Sequence, residues 1–158
     1  AAGRLCYPMP GEPAQLRLTI GSHFEDLELV DSVTDAVLRY VGVAEDEIEN
    51  TALAIREAAA NAIEHGNGVG SDKQVDVVMR LRAERLTVRV SDEGAGFDPD
   101  KVPDPLAPEN LLKPRGRGIF LTRRFVDEVS YEFDGGTVMT LRKRLGKAPA
   151  EESPEGES

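Results

Sequence analysis

A carboxylate followed by two glycines stands at the end of a predicted strand. In SDEGAGF, residues 91 to 97, Asp92 comes at the strand tip, and Gly94 and Gly96 follow it. Glycines let the backbone approach a flat ligand or a phosphate closely, and the carboxylate can accept a hydrogen bond from an exocyclic amine such as that of adenine. The same pattern is typical of a plain turn, so by itself it does not distinguish the two.

A second glycine pair precedes a predicted helix in RGRGIFL, residues 115 to 121. Gly116 and Gly118 lead into the helix start, where free N–H groups and the helix dipole favour a phosphate. The chain has no G-x-x-x-x-G-K-[ST] pattern, and these glycines do not follow a first strand. The segment is therefore neither a P-loop nor a dinucleotide fingerprint.

Three polar side chains interrupt the alanine-rich stretch REAAANAIEHGNG, residues 56 to 68. Glu57, Asn61 and His65 follow one another at four-residue steps, which in an α-helix keeps side chains on one face. The spacing predicts a single stripe of a carboxylate, an amide and an imidazole. His65 also suits the end of a helix, where its charge would favour the dipole, so the stripe alone does not assign it a role.

Apolar periodicity predicts the elements that must position these residues. Period-two alternation predicts strands, and helical spacing predicts a helix that ends near Gly42, a second from Glu45 to about His65, and a third over roughly 118–127. The strands are expected at 14–21, 74–83, 85–93, 128–133 and 136–145. Strands grouped with helices on one side predict an α+β two-layer sandwich with a mixed sheet of about five strands.

The length of 158 residues and the 40% hydrophobic content favour one domain. We expect a single folded domain over 14–146, a mobile arm over 1–13, and a disordered acidic tail over 147–158. The long Gly- and Pro-rich loop after the third strand is expected to be mobile near 98–116. No apolar run reaches the roughly 20 residues that cross a bilayer, so we expect a soluble, cytoplasmic protein without membrane contact.

The charge distribution limits the classes of partner. A formal net charge of -10 argues against direct nucleic-acid binding, which depends on basic patches. Residues 21–50 are strongly acidic, whereas residues 113–124 carry basic side chains and no acid. This asymmetry suggests a protein partner and an anionic small ligand, although the acids could equally be a solvated helix face. Cys6 is the only cysteine, which excludes an internal disulfide.

Taken in order along the chain, the polar helix stripe, D-x-G-x-G and the closing G-x-G resemble the N, G1 and G2 boxes of the GHKL (Bergerat-fold) ATPases. Within this superfamily, REAAANAIEHG and PENLLKPRGRGIFLTRRFVDEV look like the anti-sigma factor serine kinases. The resemblance covers about residues 14–145. It implies the GHKL fold, with ATP and Mg²⁺ as cofactors.

The resemblance also implies roles for individual residues. Asn61 would be a Mg²⁺ ligand, and Glu57 would act as the general base on the serine of a partner protein. Asp92 would bind adenine, with Thr140 as a second contact, although Thr140 also fits an ordinary strand position. His65 would line the phosphate end of the pocket.

The remaining implied contacts lie in the two glycine motifs. At least one of Arg115 and Arg117 would bind phosphate. The backbone of Gly94 and Gly96 and of Gly116 and Gly118 would approach the nucleotide.

The resemblance implies an anti-sigma factor that sequesters a sigma factor and phosphorylates a STAS-type antagonist with ATP. A different class of function is also open, in which ATP gates docking to a non-sigma partner with little or no phosphate transfer. A detached histidine kinase domain is less favoured, because no dimerising phosphoacceptor helix pair fits in the chain. The sequence leaves the oligomeric state open, with a homodimer among the allowed states.

Overall fold

The computed structural model describes residues 14–82, 84–95, 122–133 and 135–146. The segments expected as an N-terminal arm, a mobile loop near 98–116 and an acidic tail lie outside the described residues, and those expectations stay predictions. Most of the predicted third helix also lies outside them, but residues 122–125 are helical as expected.

The described elements follow the predicted order, with boundaries shifted by only a few residues. The strands are β1 (Ala14–Ile20), β2 (Val75–Arg82), β3 (Arg85–Ser91), β4 (Glu128–Phe133) and β5 (Thr137–Arg144). The helices are α1 (Leu27–Tyr40) and α2 (Glu45–Asn61), with a short 3-10 turn at Phe24–Asp26 and a π-helical turn at Ala62–Asn67.

The five strands form one sheet in the order β1-β2-β3-β5-β4. The α+β architecture is confirmed. A mixed sheet was expected, but every strand pair in the described residues is antiparallel. The reason lies in the connection between β1 and β2. Two successive helices return the chain to the end of the sheet that it left, so that Ile20 at the end of β1 pairs with Val75 at the start of β2.

The core lies on one face of this sheet. Along β3, Leu86, Val88 and Val90 are buried while the residues between them are exposed or half-buried, as expected for a strand covered on one side. Buried residues of α1 and α2 join them in a single hydrophobic cluster. Ile55 and Ile63 are fully buried there, and burying each such side chain contributes about 1.5 to 3 kcal/mol.

Helix α2 brings polar residues to the edge of this core. Ala54, Ala58 and Ala59 are buried, and their small side chains let the helix approach its neighbours closely. Glu57 and Asn61, on the same part of the helix, remain half-buried. The alanine-rich composition therefore serves packing, and the two polar residues are held at a partly desolvated position.

Candidate functional site

The stripe predicted on the second helix is only partly realised. Glu57 and Asn61 both lie on α2, where a four-residue step keeps them on one face. The α-helix ends at Asn61 and continues as a π-helical turn, so the α-helical phase no longer applies to His65. The imidazole of His65 is 46% exposed and lies 3.9 Å from the carboxylate of Glu64. The structure therefore does not align His65 with the other two residues.

Glu57 is held in a state that suits a proton acceptor. Partial burial raises the pKa of its carboxyl group, and the neighbouring Arg56 opposes this with a smaller effect. The guanidinium of Arg56 is also engaged with Asp31 on α1. A carboxylate with a raised pKa binds a proton more readily than an ordinary glutamate, which is the property needed of a general base.

The amide of Asn61 is not committed to the protein's own hydrogen bonds. Its Nδ2 is buried and has no acceptor among the described residues. A buried polar group normally has a partner, so this amide is available to a ligand. The nitrogen and oxygen of an amide exchange places by a rotation of the side chain, and the oxygen is a suitable ligand for Mg²⁺. The residue therefore fits the predicted metal role.

Asp92 follows β3 and is almost fully buried, with 8% of its surface exposed. Its Oδ1 accepts hydrogen bonds from the backbone N–H of Gly94 at 2.9 Å and of Thr137 at 3.1 Å. No donor from the described residues bonds to its Oδ2. The carboxylate is thus fixed by one oxygen, and the other can accept a hydrogen bond from an amine on a ligand.

Three chain segments meet around Asp92, and each contributes a glycine where a side chain would not fit. A Cβ at Gly66 would overlap the carboxylate of Asp92, and a Cβ at Gly94 would overlap the carbonyl of Gly66. Gly136 has φ +151, and its Cβ would overlap the carbonyl of Asp92. The end of the helix, the turn after β3 and the β4–β5 turn therefore approach one another at backbone distance.

Asn67 is a site residue that the sequence analysis missed. It is buried, and its Oδ1 accepts the backbone N–H of Glu93 at 2.7 Å, next to Asp92. Its Nδ2 donates to Ser22 Oγ at 3.1 Å and to the carbonyl of Gln74 at 2.9 Å. Asn67 therefore joins the end of the helix to the turns after β1 and β3. The available signal was a lone asparagine between glycines, which is also typical of an ordinary turn.

Of the two threonines Thr137 and Thr140 on β5, it is Thr137 that is hydrogen-bonded to Asp92. Thr140 pairs with Arg89, whose side chain is 54% exposed on the face away from the helices. The Thr137 carbonyl accepts the backbone N–H of Asp92 at 2.9 Å, and the Thr137 N–H donates to the Asp92 carboxylate at 3.1 Å. The Oγ1 of Thr137 is buried without a partner in the described residues. Residues three apart on a strand point to opposite faces, so both threonines cannot face the site.

Several predicted site residues lie outside the described part of the chain: Gly96, Arg115, Gly116, Arg117 and Gly118. In the described ranges, no group of three or more His, Cys, Asp or Glu side chains could hold a metal ion. No helix in those ranges is long and apolar enough to cross a membrane.

The chain matches a known family model over most of its length. Residues 21–143 match the histidine kinase-like ATPase domain. The serine-protein kinase RsbW of Halalkalibacterium halodurans is 26% identical over 151 residues, which cover 92% of this chain and 92% of that protein. The serine-protein kinase RsbW of Bacillus licheniformis is 30% identical over 113 residues, which cover 68% of this chain and 71% of that protein.

A solved structure shows the same fold. The crystal structure of the RsbU and RsbW domains of a Mycobacterium tuberculosis protein matches with a TM-score of 0.64 at 23% identity. The match covers 90% of this chain but 34% of that chain, so this chain spans about a third of the solved one. At this identity the likeness concerns the fold alone.

Proposed function

Because the chain belongs to the histidine kinase-like ATPase domain family, with serine-protein kinases RsbW among its relatives, we propose that it is an ATP-dependent serine protein kinase and anti-sigma factor. It would sequester a sigma factor and phosphorylate a STAS-type antagonist of that sequestration. The observation that carries the proposal is the buried Asp92, fixed through one oxygen beside the end of the helix that bears Glu57.

The donor set at this site fits ATP and Mg²⁺. Asp92 Oδ2 is available to accept the exocyclic amine of adenine, and the buried Thr137 hydroxyl lies on the adjacent strand. The uncommitted amide of Asn61 would hold Mg²⁺, which is usually bound through few protein ligands together with phosphates and water. Arg115 and Arg117 stay predicted phosphate contacts, together with the backbone of the neighbouring glycines.

The chemical step assigned to this chain is proton transfer. Glu57 would accept the proton of the partner's serine hydroxyl while that oxygen attacks the terminal phosphorus, and ADP would leave with the electrons of the broken P–O bond. The bound Mg²⁺ supplies charge stabilisation on the phosphates when present. Partial burial of Glu57 favours this role because it raises the pKa of the carboxyl group.

The partners follow from the same proposal. Exposed acids at the start of α1 and α2 offer a surface for a protein partner, which we assign to the sigma factor. An activity of this kind operates in the cytoplasm, so cytoplasmic localisation belongs to the proposal.

The decisive test replaces Glu57 with glutamine, which keeps size and hydrogen bonding but removes the base. We expect Glu57→Gln to bind ATP and both protein partners normally, while phosphorylation of the antagonist falls at least about a hundredfold. Transfer is measured with radiolabelled ATP and a candidate STAS-type protein. Glu49→Gln, at an exposed position two turns earlier on α2, is the matched control and should transfer phosphate at the normal rate.

Two results would change the assignment. Normal transfer by Glu57→Gln would remove Glu57 from the general-base role. If the unmodified protein binds ATP and its partner but transfers no phosphate, the chain is instead a nucleotide-gated binding module.

A further inference from the structure

The sheet has a second face, which α1 and α2 do not cover and which we call the outer face. In each strand it consists of the residues that alternate with the core positions. Arginines dominate its charge, although the chain as a whole is acidic. The outer-face arginines are Arg17, Arg80, Arg82, Arg85, Arg89, Arg142 and Arg144, and the acids among them are Asp76, Glu128 and Glu132.

Most of these arginines have a partner on the same face. Three lie within ion-pair distance of an acid, and a fourth donates to an amide oxygen. These pairs are Arg17 with Asp76 at 2.6 Å, Arg89 with Glu132 at 3.7 Å, Arg142 with Glu128 at 3.3 Å, and Arg80 with Gln15 at 2.9 Å.

The other three arginines form a line across one end of the sheet. Arg85 pairs directly with Arg82 on one side and with Arg144 on the other, and all three side chains are exposed. We call this line the arginine row. In the described part of the chain, none of the three has a carboxylate partner for its guanidinium group. The nearby Asp127 carboxylate accepts the backbone N–H of Arg144 at 2.6 Å.

This arrangement opposes folding rather than assisting it. Side chains directly opposite on antiparallel strands have Cβ atoms about 4.5 to 5.5 Å apart, and like charges at that distance are destabilising. Arg85 meets a like charge on both sides. The row lowers the stability of the fold, and it consists only of arginine, whose planar guanidinium binds carboxylates through two hydrogen bonds at once. Together these two features indicate a function in binding.

We propose that the arginine row is a docking site for an acidic segment of a partner protein. Neighbouring strands are about 4.8 Å apart, so the row presents three guanidinium groups over about 10 Å. An extended peptide places alternate side chains about 7 Å apart on one side, so two or three carboxylates can pair with the row.

The row is remote from the nucleotide site. Strand β3 runs from Arg85 to Ser91, and Asp92 follows at the other end of the sheet. At about 3.4 Å per residue the two are separated by roughly 24 Å, and they point to opposite faces. An acidic segment can therefore dock without blocking the proposed ATP site.

An acidic protein segment fits this surface better than a nucleic acid. The outer face carries no aromatic side chain in its described strands, so it offers no stacking platform for unpaired bases. The formal net charge of -10 repels a long polyanion, whereas a short acidic segment meets only the row.

The test is fluorescence anisotropy with a labelled twelve-residue peptide of alternating glutamate and serine. We expect the full chain to bind it at low salt, and the triple variant Arg82→Gln, Arg85→Gln, Arg144→Gln to lose at least about tenfold in affinity. The matched control removes the same charge from the ion-paired positions of the same face, with Arg17→Gln, Arg89→Gln and Arg142→Gln. It should lose less than about threefold.

Further measurements separate docking from a structural role. Arg85→Gln alone should weaken peptide binding without lowering the urea midpoint, because it removes two like-charge contacts. A lowered midpoint with unchanged binding would show that the row serves the fold and would overturn the proposal.

Three other outcomes would also overturn it: equal losses in the two triple variants, tighter binding of a twelve-nucleotide oligo-dT than of the peptide, or no binding of the peptide. A gain in peptide affinity on deleting residues 147–158 would assign the row to the chain's own acidic tail instead.

Discussion

Asn67 connects three segments of the candidate site, so its replacement by alanine tests the geometry directly. The change removes the acceptor of the Glu93 N–H and the donor to the Gln74 carbonyl and to Ser22 Oγ. Ser22 keeps its bond to the carbonyl of Lys73 at 2.6 Å, so its loss is small. A typical hydrogen bond contributes about 0.5 to 1.5 kcal/mol, and a buried group left without a partner costs about 1 to 3 kcal/mol. We expect a total loss of about 2 to 4 kcal/mol.

The loss is measured as the change in the free energy of unfolding from urea denaturation, with the slope checked for two-state behaviour. Asn50→Ala is the matched control, because Asn50 is exposed on α2 and alanine is a better helix former. It should leave stability unchanged or slightly higher. Calorimetry under folding conditions should also show weaker ATP binding by Asn67→Ala, since Glu93 adjoins Asp92.

A loss below about 0.5 kcal/mol, no larger than the effect of Asn50→Ala, would refute the reasoning. It would mean that water replaces all three contacts without cost and that Asn67 does not hold the turn after β3. Normal stability together with weakened ATP binding would instead limit Asn67 to positioning the site.

Two further predictions concern the site itself. Asp92→Asn keeps the acceptor for the N–H groups of Gly94 and Thr137 but places an amide where Oδ2 accepts, so calorimetry should show at least a tenfold loss in ATP affinity, from about 1.5 to 3 kcal/mol. Asp76→Asn on the outer face is its control, and equal affinities in the two variants would contradict the adenine assignment. Because burial raises the pKa of Glu57 and only the ionised form is a base, phosphate transfer should fall as the pH decreases through that raised pKa. A pH profile of kcat whose acidic limb is the same in Glu57→Gln would exclude Glu57 as its source.

The sequence by itself predicted the elements and gave candidate site residues. Strand alternation and helical spacing are local properties, because each strand or helix must turn one side to the core. The strand over Arg85–Ser91 and the helix beginning at Glu45 therefore needed no knowledge of their neighbours. Asp92 was also predictable, since a carboxylate before a glycine-rich turn is visible in seven consecutive residues.

Tertiary structure decided which residues meet. Thr140 and Thr137 look equivalent along β5, and only the pairing of the strand with β3 shows that Thr137 lies beside Asp92. Asn67 bonds to residues before and after it in the chain, and such contacts leave no periodic signal. His65 leaves the predicted stripe because the helix changes to a π turn after Asn61, in the segment where Gly66 approaches Asp92 closely.

The direction of the strands and the arginine row depended on the fold in the same way. Arg82 and Arg85 are close in sequence, but Arg144 reaches them only because β5 inserts between β3 and β4. Local preferences act within a turn or a strand, whereas register and strand order are set by how the whole hydrophobic face is buried. The sequence therefore determined the parts and their chemistry, and the packing of the sheet determined which of those parts act together.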